Sequence, residues 1–403
     1  MRDDKANLLV ELQRQIDQLS TMEDHPLSFP DISDHPCDNT RLQSTLGALI
    51  NEGDLHRADN WAAHMTPCIS ASSLLGQLLA GIHNGNLLSP QLYPALAKIE
   101  QQMIGWLCQL FQQQHGHFIA GSSYANMEAL WQAKQHSKDA SRVVYTSSAA
   151  HYSIAKACQI LDLKLETIAT NDYDQLLPDA LQQACTVQRP LAIVATIGTP
   201  AAGAIDPLAD CIRISQQFES WCHIDAAWGG ALSILPGYKT LFDTASHADS
   251  ICFDPHKGWQ QPKPASILLY QHPLSPMLSA DTSYLERPPL LNFHGSRGGE
   301  FFLPLWLTLM HSGIDDLREQ VQQRLQQANS LAKQLQKHTD WHVHQSETGI
   351  VCFRPASSVD LTDLVNQRIL SKAKVAGQDV YRAVFASSNT RANAVIAELE
   401  PYF

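Results

Sequence analysis

Apolar positions along the chain follow two periods, one typical of buried strands and one typical of amphipathic helices. Residues 191–197 (LAIVATI) form a continuous apolar run, which predicts a strand buried on both faces of a sheet. From about Ser89 onward, strand-like and helical stretches alternate. The predicted helices cover residues 91–111, 154–161, 208–218 and a stretch that starts at 126–134, and the predicted strands cover 143–146, 191–197 and the regions around His223 and Ile251. This alternation predicts an α/β fold with a mainly parallel sheet and helices on both sides.

The two ends of the chain have patterns of their own. Leucine and isoleucine recur at near-helical spacing in residues 8–19, which predicts an amphipathic helix, and residues 21–40 are rich in Pro, Asp and Ser, as in an extended connector. A long helical pattern over residues 301–338 leads into strands near 350–353 and 380–385. We therefore predict an N-terminal helical and extended segment (1–75), a large domain (76–311) and a small C-terminal α/β domain (312–403).

Composition and charge narrow the range of partners. The chain has 403 residues, 44% of them hydrophobic and 17% charged, so it can bury a sizeable core. Its net charge is −12 and it has no block of Lys or Arg, which argues against nucleic acid or an anionic membrane as a partner. No segment approaches the roughly 20 apolar residues that span a bilayer, and the N-terminus lacks the apolar core of a signal peptide. We expect a cytoplasmic protein that acts on a small molecule.

Cysteine and histidine spacing gives no metal signature. The nine cysteines are scattered singly and none forms a Cys-x-x-Cys pair, which argues against a disulfide framework or a zinc site. Two segments, 115–117 (HGH) and 342–344 (HVH), could each place two imidazoles on one strand face. Neither has a third ligand nearby in sequence. We predict no metal site.

Lys257 and Asp225 form the most informative pair. Lys257 lies in the run 254–259 (DPHKGW), and Asp225 ends a short apolar run within 221–232 (WCHIDAAWGGAL). A lysine and an acid in such surroundings are costly to bury unless each has a partner. Pyridoxal phosphate supplies both partners, because its aldehyde forms a Schiff base with lysine and its pyridinium nitrogen pairs with a carboxylate. The alternative is a surface lysine and a helix-capping aspartate.

Three further stretches have the residue types that such a cofactor needs. Residues 120–126 (AGSSYAN) precede a helix, where small residues and hydroxyls can hold an anion, although a capped turn has the same pattern. His151, in 145–157 (YTSSAAHYSIAKA), follows a buried strand and could stack on an aromatic cofactor or be a capping or core histidine. Residues 196–206 (TIGTPAAGAID) place a glycine-threonine turn at a strand's carboxyl end, where open α/β sheets bind ligands, or form an ordinary loop.

Taken in order, the motifs GSSYAN, SSAAHYSIAKA, GTPAAGAID, HIDAAWGGA and DPHKG resemble the pyridoxal-phosphate-dependent group II amino acid decarboxylases. The resemblance runs from about His25 to the C-terminus and implies fold type I, a homodimer and pyridoxal 5′-phosphate as cofactor. It implies Lys257, His151 and Asp225 as the catalytic residues. It also implies the following contacts with the cofactor: Ser122 and Ser123 on the phosphate, His151 stacked on the ring, Thr199 in the glycine-threonine turn, Asp225 on the pyridine nitrogen, Ala227 on the opposite ring face, His256 beside the phosphate, Lys257 as the Schiff-base lysine, and Ser296, within 294–297 (HGSR), reaching a neighbouring subunit's phosphate. The pKa of the Lys257 amine would need to fall, through partial burial and the positive ring.

The sequence departs from the family pattern in ways that bear on the substrate. Pro200 stands where many members have a second threonine. Residues 284–297 are too short for the long loop of the aromatic decarboxylases, and no tyrosine lies between Tyr284 and Arg297. We therefore expect an L-amino acid with a small acidic or polar side chain. His64, Thr66 and Arg382 are candidate substrate donors, although Arg382 could instead form a structural ion pair. The alternatives are another pyridoxal-dependent carbon–carbon lyase or aminotransferase, and a catalytically silent cofactor-binding protein.

Overall fold

The computed structural model describes residues 34–35, 38–138, 141–276 and 293–403. Within these residues the strands form one seven-stranded sheet and one four-stranded sheet. The strands of the large sheet are β1 (His115–Ile119), β2 (Val143–Ser147), β3 (Lys164–Ile168), β4 (Ala192–Thr196), β5 (Trp221–Asp225), β6 (Ser250–Phe253) and β7 (Ser266–Tyr270). The strands of the small sheet are β8 (His342–Gln345), β9 (Ile350–Arg354), β10 (Ser371–Val375) and β11 (Gln378–Val384).

Helices connect most of these strands and precede the first. In chain order, the described α-helices are α1 (Asn39–Asp54), α2 (Ala71–His83), α3 (Pro94–Phe111), α4 (Ser122–His136), α5 (Ser153–Ile160), α6 (Pro178–Val187), α7 (Leu208–Gln217), α8 (Lys239–Ala245), α9 (Pro255–Gly258), α10 (Leu303–Leu335), α11 (Thr362–Asn366) and α12 (Ala392–Leu399). None of the described helices is both long and apolar enough to cross a bilayer.

The large sheet confirms the predicted mainly parallel α/β fold. Its strand order is β1-β7-β6-β5-β4-β2-β3. Strand β7 runs antiparallel to both of its neighbours, β1 and β6, and the other described pairs of this sheet are parallel. Every residue of β4 is buried, as the apolar run 191–197 predicted, and so is every residue of β5, because helices cover both faces of a parallel sheet. The carboxyl ends of β2, β4, β5 and β6 meet at one edge, and each is followed by a loop that contains one of the sequence motifs.

Helix boundaries follow local chemistry more closely than the apolar period alone. The helix predicted over 91–111 begins at Pro94, after a 3₁₀ turn at Pro90–Leu92, because proline fits the first helical turn, where no N–H is needed. Helix α4 begins at Ser122, earlier than the stretch 126–134 suggested. Gly121 precedes it with φ 107°, a conformation that favours glycine, so the chain turns sharply from β1 into α4.

The small sheet and the long helix α10 form the C-terminal part. The sheet is antiparallel in the order β10-β11-β9-β8, and it buries Val351, Phe353 and Phe385 with Leu331 and Leu335 of α10. Helix α10 crosses the predicted boundary at residue 312, and the backbone leaves helical geometry at Gly313 (φ 74°). The division into domains stays a prediction. The predicted helix over residues 8–19 and most of the predicted connector lie outside the described residues.

Candidate active site

A cavity of about 530 Å³ opens at the carboxyl edge of the parallel strands. Many of the residues singled out from sequence line it: His64, Ser122, Ser123, His151, Asp225, Ala227, His256, Lys257 and Arg382. The crossovers of the large sheet bring the residues between Ser122 and Lys257 to the same edge. His64 lies before the first strand of that sheet, and Arg382 lies on β11 of the small sheet. Tyr124, Tyr152 and Trp228 also line the cavity, although the sequence did not single them out.

Lys257 lies on the short helix α9, directly after β6, and its ammonium group pairs with Asp254. The Lys257 Nζ atom is 2.9 Å from Asp254 Oδ2, and the carboxylate is 2% exposed. Burial lowers the pKa of Lys257, but the charge and hydrogen bond of Asp254, with the charge of Asp225, outweigh burial and raise it. In the chain alone, a buried acid three residues away stabilises the charged form of the amine. The expected fall of this pKa depends also on the positive ring of the bound cofactor and stays a prediction.

Asp254 was missed as a site residue even though it begins the DPHKG motif. The Ser122 and Ser266 hydroxyls and the Ser122 backbone N–H all donate to its Oδ1 atom. Burial opposes ionisation, but Lys257, His256 and these donors together lower the pKa of Asp254. Asp225 is the last residue of β5, and Asp254 directly follows β6. An acid at the end of an apolar strand is the sequence signal that could have identified Asp254.

Asp225 points from the end of β5 toward the cavity and is held by neutral donors. Asn126 Nδ2 donates to its Oδ2 at 2.9 Å, and the Ala227 backbone N–H donates to its Oδ1 at 3.1 Å. Asn126 is fully buried on α4 and belongs to the GSSYAN motif, yet it was not singled out. The carboxylate is thus fixed in place and faces a cavity that can receive a cation.

The two histidines predicted to contact the cofactor are also hydrogen-bonded. His151 Nδ1 lies 2.8 Å from Ser153 Oγ, and burial lowers the pKa of this imidazole more than the charge of Asp225 raises it. His256 Nδ1 lies 2.7 Å from the Ala265 carbonyl oxygen, and burial is again the largest cause of its lowered pKa. Burial therefore favours the neutral form of both rings.

Comparison with known proteins identifies the family. Residues 22–356 match the family model described as the pyridoxal-dependent decarboxylase conserved domain. This chain belongs to that family. Its relatives are amino acid carboxy-lyases, and pyridoxal 5′-phosphate is their cofactor and the cofactor of this decarboxylase.

The curated relatives of this decarboxylase carry different substrate names. It is 24% identical to tryptophan decarboxylase TDC1 of Camptotheca acuminata over 79% of its own chain and 72% of that protein. It is 29% identical to a probable L-tyrosine/L-aspartate decarboxylase of Methanocella arvoryzae over 63% of its chain and 69% of that protein. It is 27% identical to aspartate 1-decarboxylase of Aliivibrio fischeri, over 61% of its chain and 53% of that protein.

Solved structures of such enzymes share the fold of the decarboxylase. The structure of TDC from Oryza sativa with PLP has a TM-score of 0.82 at 20% identity and covers 100% of this chain and 96% of its own. Mouse CSAD in its apo form has a TM-score of 0.80 at 19% identity and covers 92% of this chain and 89% of its own. The fold type I architecture expected from the motifs is therefore confirmed.

The cavity has the chemistry that pyridoxal phosphate requires. The buried carboxylate of Asp225 faces the cavity and, within the described part of the chain, is hydrogen-bonded only to neutral donors. The amine of Lys257 also lines the cavity. The 15-residue helix α4 begins at the cavity with Ser122 and Ser123, and such a helix N-terminus favours a phosphate. Thr196 Oγ1, at the end of β4, is buried with no hydrogen-bond partner among the described residues. These residues fit the cofactor.

Three predicted site residues of the decarboxylase do not line the cavity. Thr199 Oγ1 accepts the Ala204 N–H at 3.0 Å within its own turn, because the turn needs that bond to close. Thr66 lies on a neighbouring cavity, 3.4 Å from Lys263 Nζ. Ser296 accepts a bond from Asn86 Nδ2 at 3.0 Å.

The segment around Ser296 is bonded within its own chain. Arg297, its neighbour, pairs with Glu100 at 2.9 Å and donates to the Leu87 carbonyl. The role of Ser296 at a neighbouring subunit's cofactor stays a prediction.

The two histidine pairs considered as metal ligands make other contacts. His117 Nε2 lies 2.8 Å from the buried Glu128 Oε1, and His344 stacks on Tyr173 with ring centroids 4.7 Å apart. In the part of the chain that the structure describes, no cluster of three or more His, Cys, Asp or Glu side chains could hold a metal ion.

Proposed function

We propose that this decarboxylase converts an L-amino acid with a small acidic or polar side chain to its amine and CO₂. When bound, the cofactor supplies an electron-accepting ring for the pair of electrons that the departing carboxylate leaves behind. Lys257 holds the cofactor covalently, and Asp225, held by Asn126 and Ala227, keeps a proton on the ring nitrogen. Ser122, Ser123 and the N-terminus of α4 bind the phosphate, with His256 beside it, and His151 and Ala227 pack on opposite faces of the ring.

The observation that carries the substrate proposal is Arg382. It lies on β11, lines the same cavity, and donates from Nη1 to the Pro200 carbonyl at 2.7 Å. Its Nε atom is buried with no partner in the described residues. Burial lowers the pKa of Arg382, so a carboxylate or other acceptor that reaches it regains interaction energy. We infer that the substrate brings that acceptor.

His64, which also lines the cavity, supports the same assignment. Burial, and then the charges of Arg382 and Arg368, lower its pKa, so the neutral ring is favoured and can offer one donor and one acceptor. A site built on polar donors rejects substrates that leave them unpaired. The names of the relatives include both aromatic and acidic substrates and do not choose between them.

A substrate panel tests this proposal. Aspartate, glutamate, cysteine sulfinate and 2,4-diaminobutyrate are compared with tyrosine, tryptophan and dihydroxyphenylalanine, with CO₂ and amine measured for each. We expect the highest kcat/KM with one of the first four. A higher value with any aromatic substrate contradicts the assignment.

Substitution of Arg382 locates the group that it binds. Arg382→Gln should lower kcat/KM by at least about thirtyfold, the usual scale for removal of one partner of a buried charge pair. A loss confined to substrates with a side-chain carboxylate places that carboxylate on Arg382. An equal loss for 2,4-diaminobutyrate places the α-carboxylate there and removes Arg382 as support for an acidic side chain. Arg368→Gln is the matched control, since Arg368 is exposed and lies outside the cavity lining but also acts on His64. Equal kcat/KM for both variants refutes the role of Arg382.

We also propose that the active unit is a homodimer, as the family resemblance implies. Large apolar side chains on α1 and α2 are exposed on the single chain, namely Leu42, Leu49, Leu74, Leu75 and Leu79. A second copy that covers this surface would bury it. Sedimentation velocity of the wild type and of Leu75→Glu/Leu79→Glu tests this, and a fully active monomer in the wild type refutes it.

A further inference from the structure

A network of buried hydrogen bonds connects Asp225 and His151, which line the cavity, to His223, which does not. His223 lies on β5, two residues before Asp225, and is fully buried. Its Nδ1 atom lies 2.8 Å from Ser250 Oγ and its Nε2 atom 2.9 Å from Asn126 Oδ1. It lies outside the cavity lining and was not singled out from sequence.

The donor and the acceptor of each hydrogen bond in this network can be assigned. As a carboxylate, Asp225 offers acceptors only, so the Asn126 group beside its Oδ2 must be the Nδ2 donor. Asn126 Oδ1 then faces His223 Nε2 and Cys252 Sγ, and both contacts require it to accept. The charge of Asp225 thus determines which way the Asn126 amide points.

The same logic assigns the proton of His223. The Trp221 indole N–H can only donate, and it donates to Ser250 Oγ at 2.8 Å, so the single Ser250 hydrogen is free for His223 Nδ1. Nδ1 therefore accepts, and Nε2 carries the hydrogen donated to Asn126. Burial, opposed by the charge of Asp225, lowers the pKa of His223 to about 4, which agrees with a neutral ring that has one donor and one acceptor.

The second hydrogen on Asn126 Nδ2 extends the hydrogen-bond network to His151. Asn126 Nδ2 also donates to Ser153 Oγ at 2.9 Å, which leaves the Ser153 hydrogen for His151 Nδ1 at 2.8 Å. The Ser153 backbone N–H points to the same Nδ1 atom at 3.3 Å, so that atom is an acceptor. A neutral His151 consequently has its hydrogen on Nε2.

We propose that Asn126 is a positioning residue whose amide ties Asp225 to both imidazoles and holds His223 and His151 as neutral Nε2–H tautomers. This inference rests on the cofactor contact proposed for Asp225. Loss of the amide removes a hydrogen bond from a carboxylate that must stay fixed and ionised. It also removes the acceptor of the His223 Nε2–H and one donor to Ser153, which is bonded to His151. The effect reaches the cofactor through Asp225 and His151, not by direct contact with Asn126.

Nitrogen NMR of the holoenzyme tests the tautomers without any measurement of turnover. The full chain is labelled with ¹⁵N in its histidine rings, and difference spectra against His223→Gln and His151→Gln assign these two rings among the 18 histidines. At pH 7 we expect both rings to be neutral with hydrogen on Nε2. A ring with its hydrogen on Nδ1, or with both nitrogens protonated, overturns the proposal. An enzyme inactive on the whole substrate panel would refute the proposed function and leave this result unaffected.

Two substitutions test the positioning role. Asn126→Asp keeps the shape but puts a second carboxylate against Asp225, and Asn126→Ala removes the amide. Each should lower kcat/KM and weaken cofactor binding by about ten- to a hundredfold, the usual effect of losing a partner that orients an active group.

Gln132→Ala is the matched control, because Gln132 is an equally buried amide on the same helix, hydrogen-bonded to Ser275 instead. We expect it to change both constants less than threefold. Equal effects of the Asn126 and Gln132 variants overturn the positioning role. If both Asn126 variants fail to fold, the wild-type tautomers decide the proposal.

Discussion

Two buried aspartates lie near the carboxyl ends of adjacent strands and have different surroundings. Asp225 ends β5 and faces the cavity, held by one side-chain amide and one backbone N–H. Asp206 follows the turn after β4, and its two oxygens each accept a backbone N–H, from Leu176 and from Thr196, at 2.8 Å. Burial is the largest cause that raises the pKa of Asp206 to about 6. An acid whose oxygens are both bonded to backbone stabilises a loop, and one that faces a cavity is available to a ligand.

Among the residues that line the cavity, Lys257 should show the largest loss of activity on substitution. Lys257→Ala should lower kcat/KM by at least about a thousandfold, since removal of a covalent catalytic residue has effects of this scale or larger. Borohydride treatment of the wild type should fix a pyridoxyl label on Lys257, identified by peptide mass spectrometry. Lys263→Ala is the control and should retain the label. A label on another lysine would refute the assignment.

Asp225→Asn should have the next largest effect on activity. The variant keeps the shape of the side chain but removes the charge opposite the cofactor ring, and we expect kcat/KM to fall by about a hundred- to a thousandfold. The free energy of unfolding should change by less than about 1 kcal/mol, because without the charge of Asp225 the Asn126 amide can turn to pair with the new amide. The neutral His223 ring can then carry its hydrogen on Nδ1, facing Ser250, and accept from Asn126 at Nε2. Turnover and urea unfolding measure the two quantities. Near-wild-type turnover would mean that the acid is only structural.

Asp206→Asn should lose stability and retain activity, the reverse of Asp225→Asn. Both oxygens of Asp206 accept N–H groups, so the substituted amide sets a donor against a donor, and we expect a loss of about 1 to 3 kcal/mol in the free energy of unfolding. The activity of the folded variant should stay within about threefold of wild type, since Asp206 does not line the cavity. A large loss of activity at unchanged stability would erase the distinction between the two aspartates.

The pH dependence of stability gives the smallest and most specific effect. The folded-state pKa of Asp206 is raised from 3.8 to about 6, so folding favours the protonated form. The stability that this group contributes is full below about pH 4 and is lost as pH rises through about 6. Between pH 5 and pH 7 the wild type should lose about 1 kcal/mol that Asp206→Asn does not lose. Parallel stability curves for the two proteins would contradict the raised pKa.

Much of the site was predictable because its motifs are local. Lys257, Asp225, His151 and Ser122 each follow or end a buried strand, and parallel strands bring such positions to one edge regardless of their distance in sequence. Thr66, Thr199 and Ser296 do not line the cavity, because hydroxyl groups bond to the nearest loop or side-chain partner and the residue type does not identify that partner.

The sequence by itself determined the parallel α/β pattern, the family and the positions of Lys257 and Asp225 at the ends of buried strands, since strand burial and helix periodicity depend on residues close together in the chain. The tertiary structure decided which acid pairs with Lys257, which amide holds Asp225 and which aspartate closes a loop. Asn126 reaches Asp225 across 99 residues, and Ser122 reaches Asp254 across 132. Hydrogen bonds act over about 3 Å and depend on angle, so these partners exist only once the strands and helices are packed.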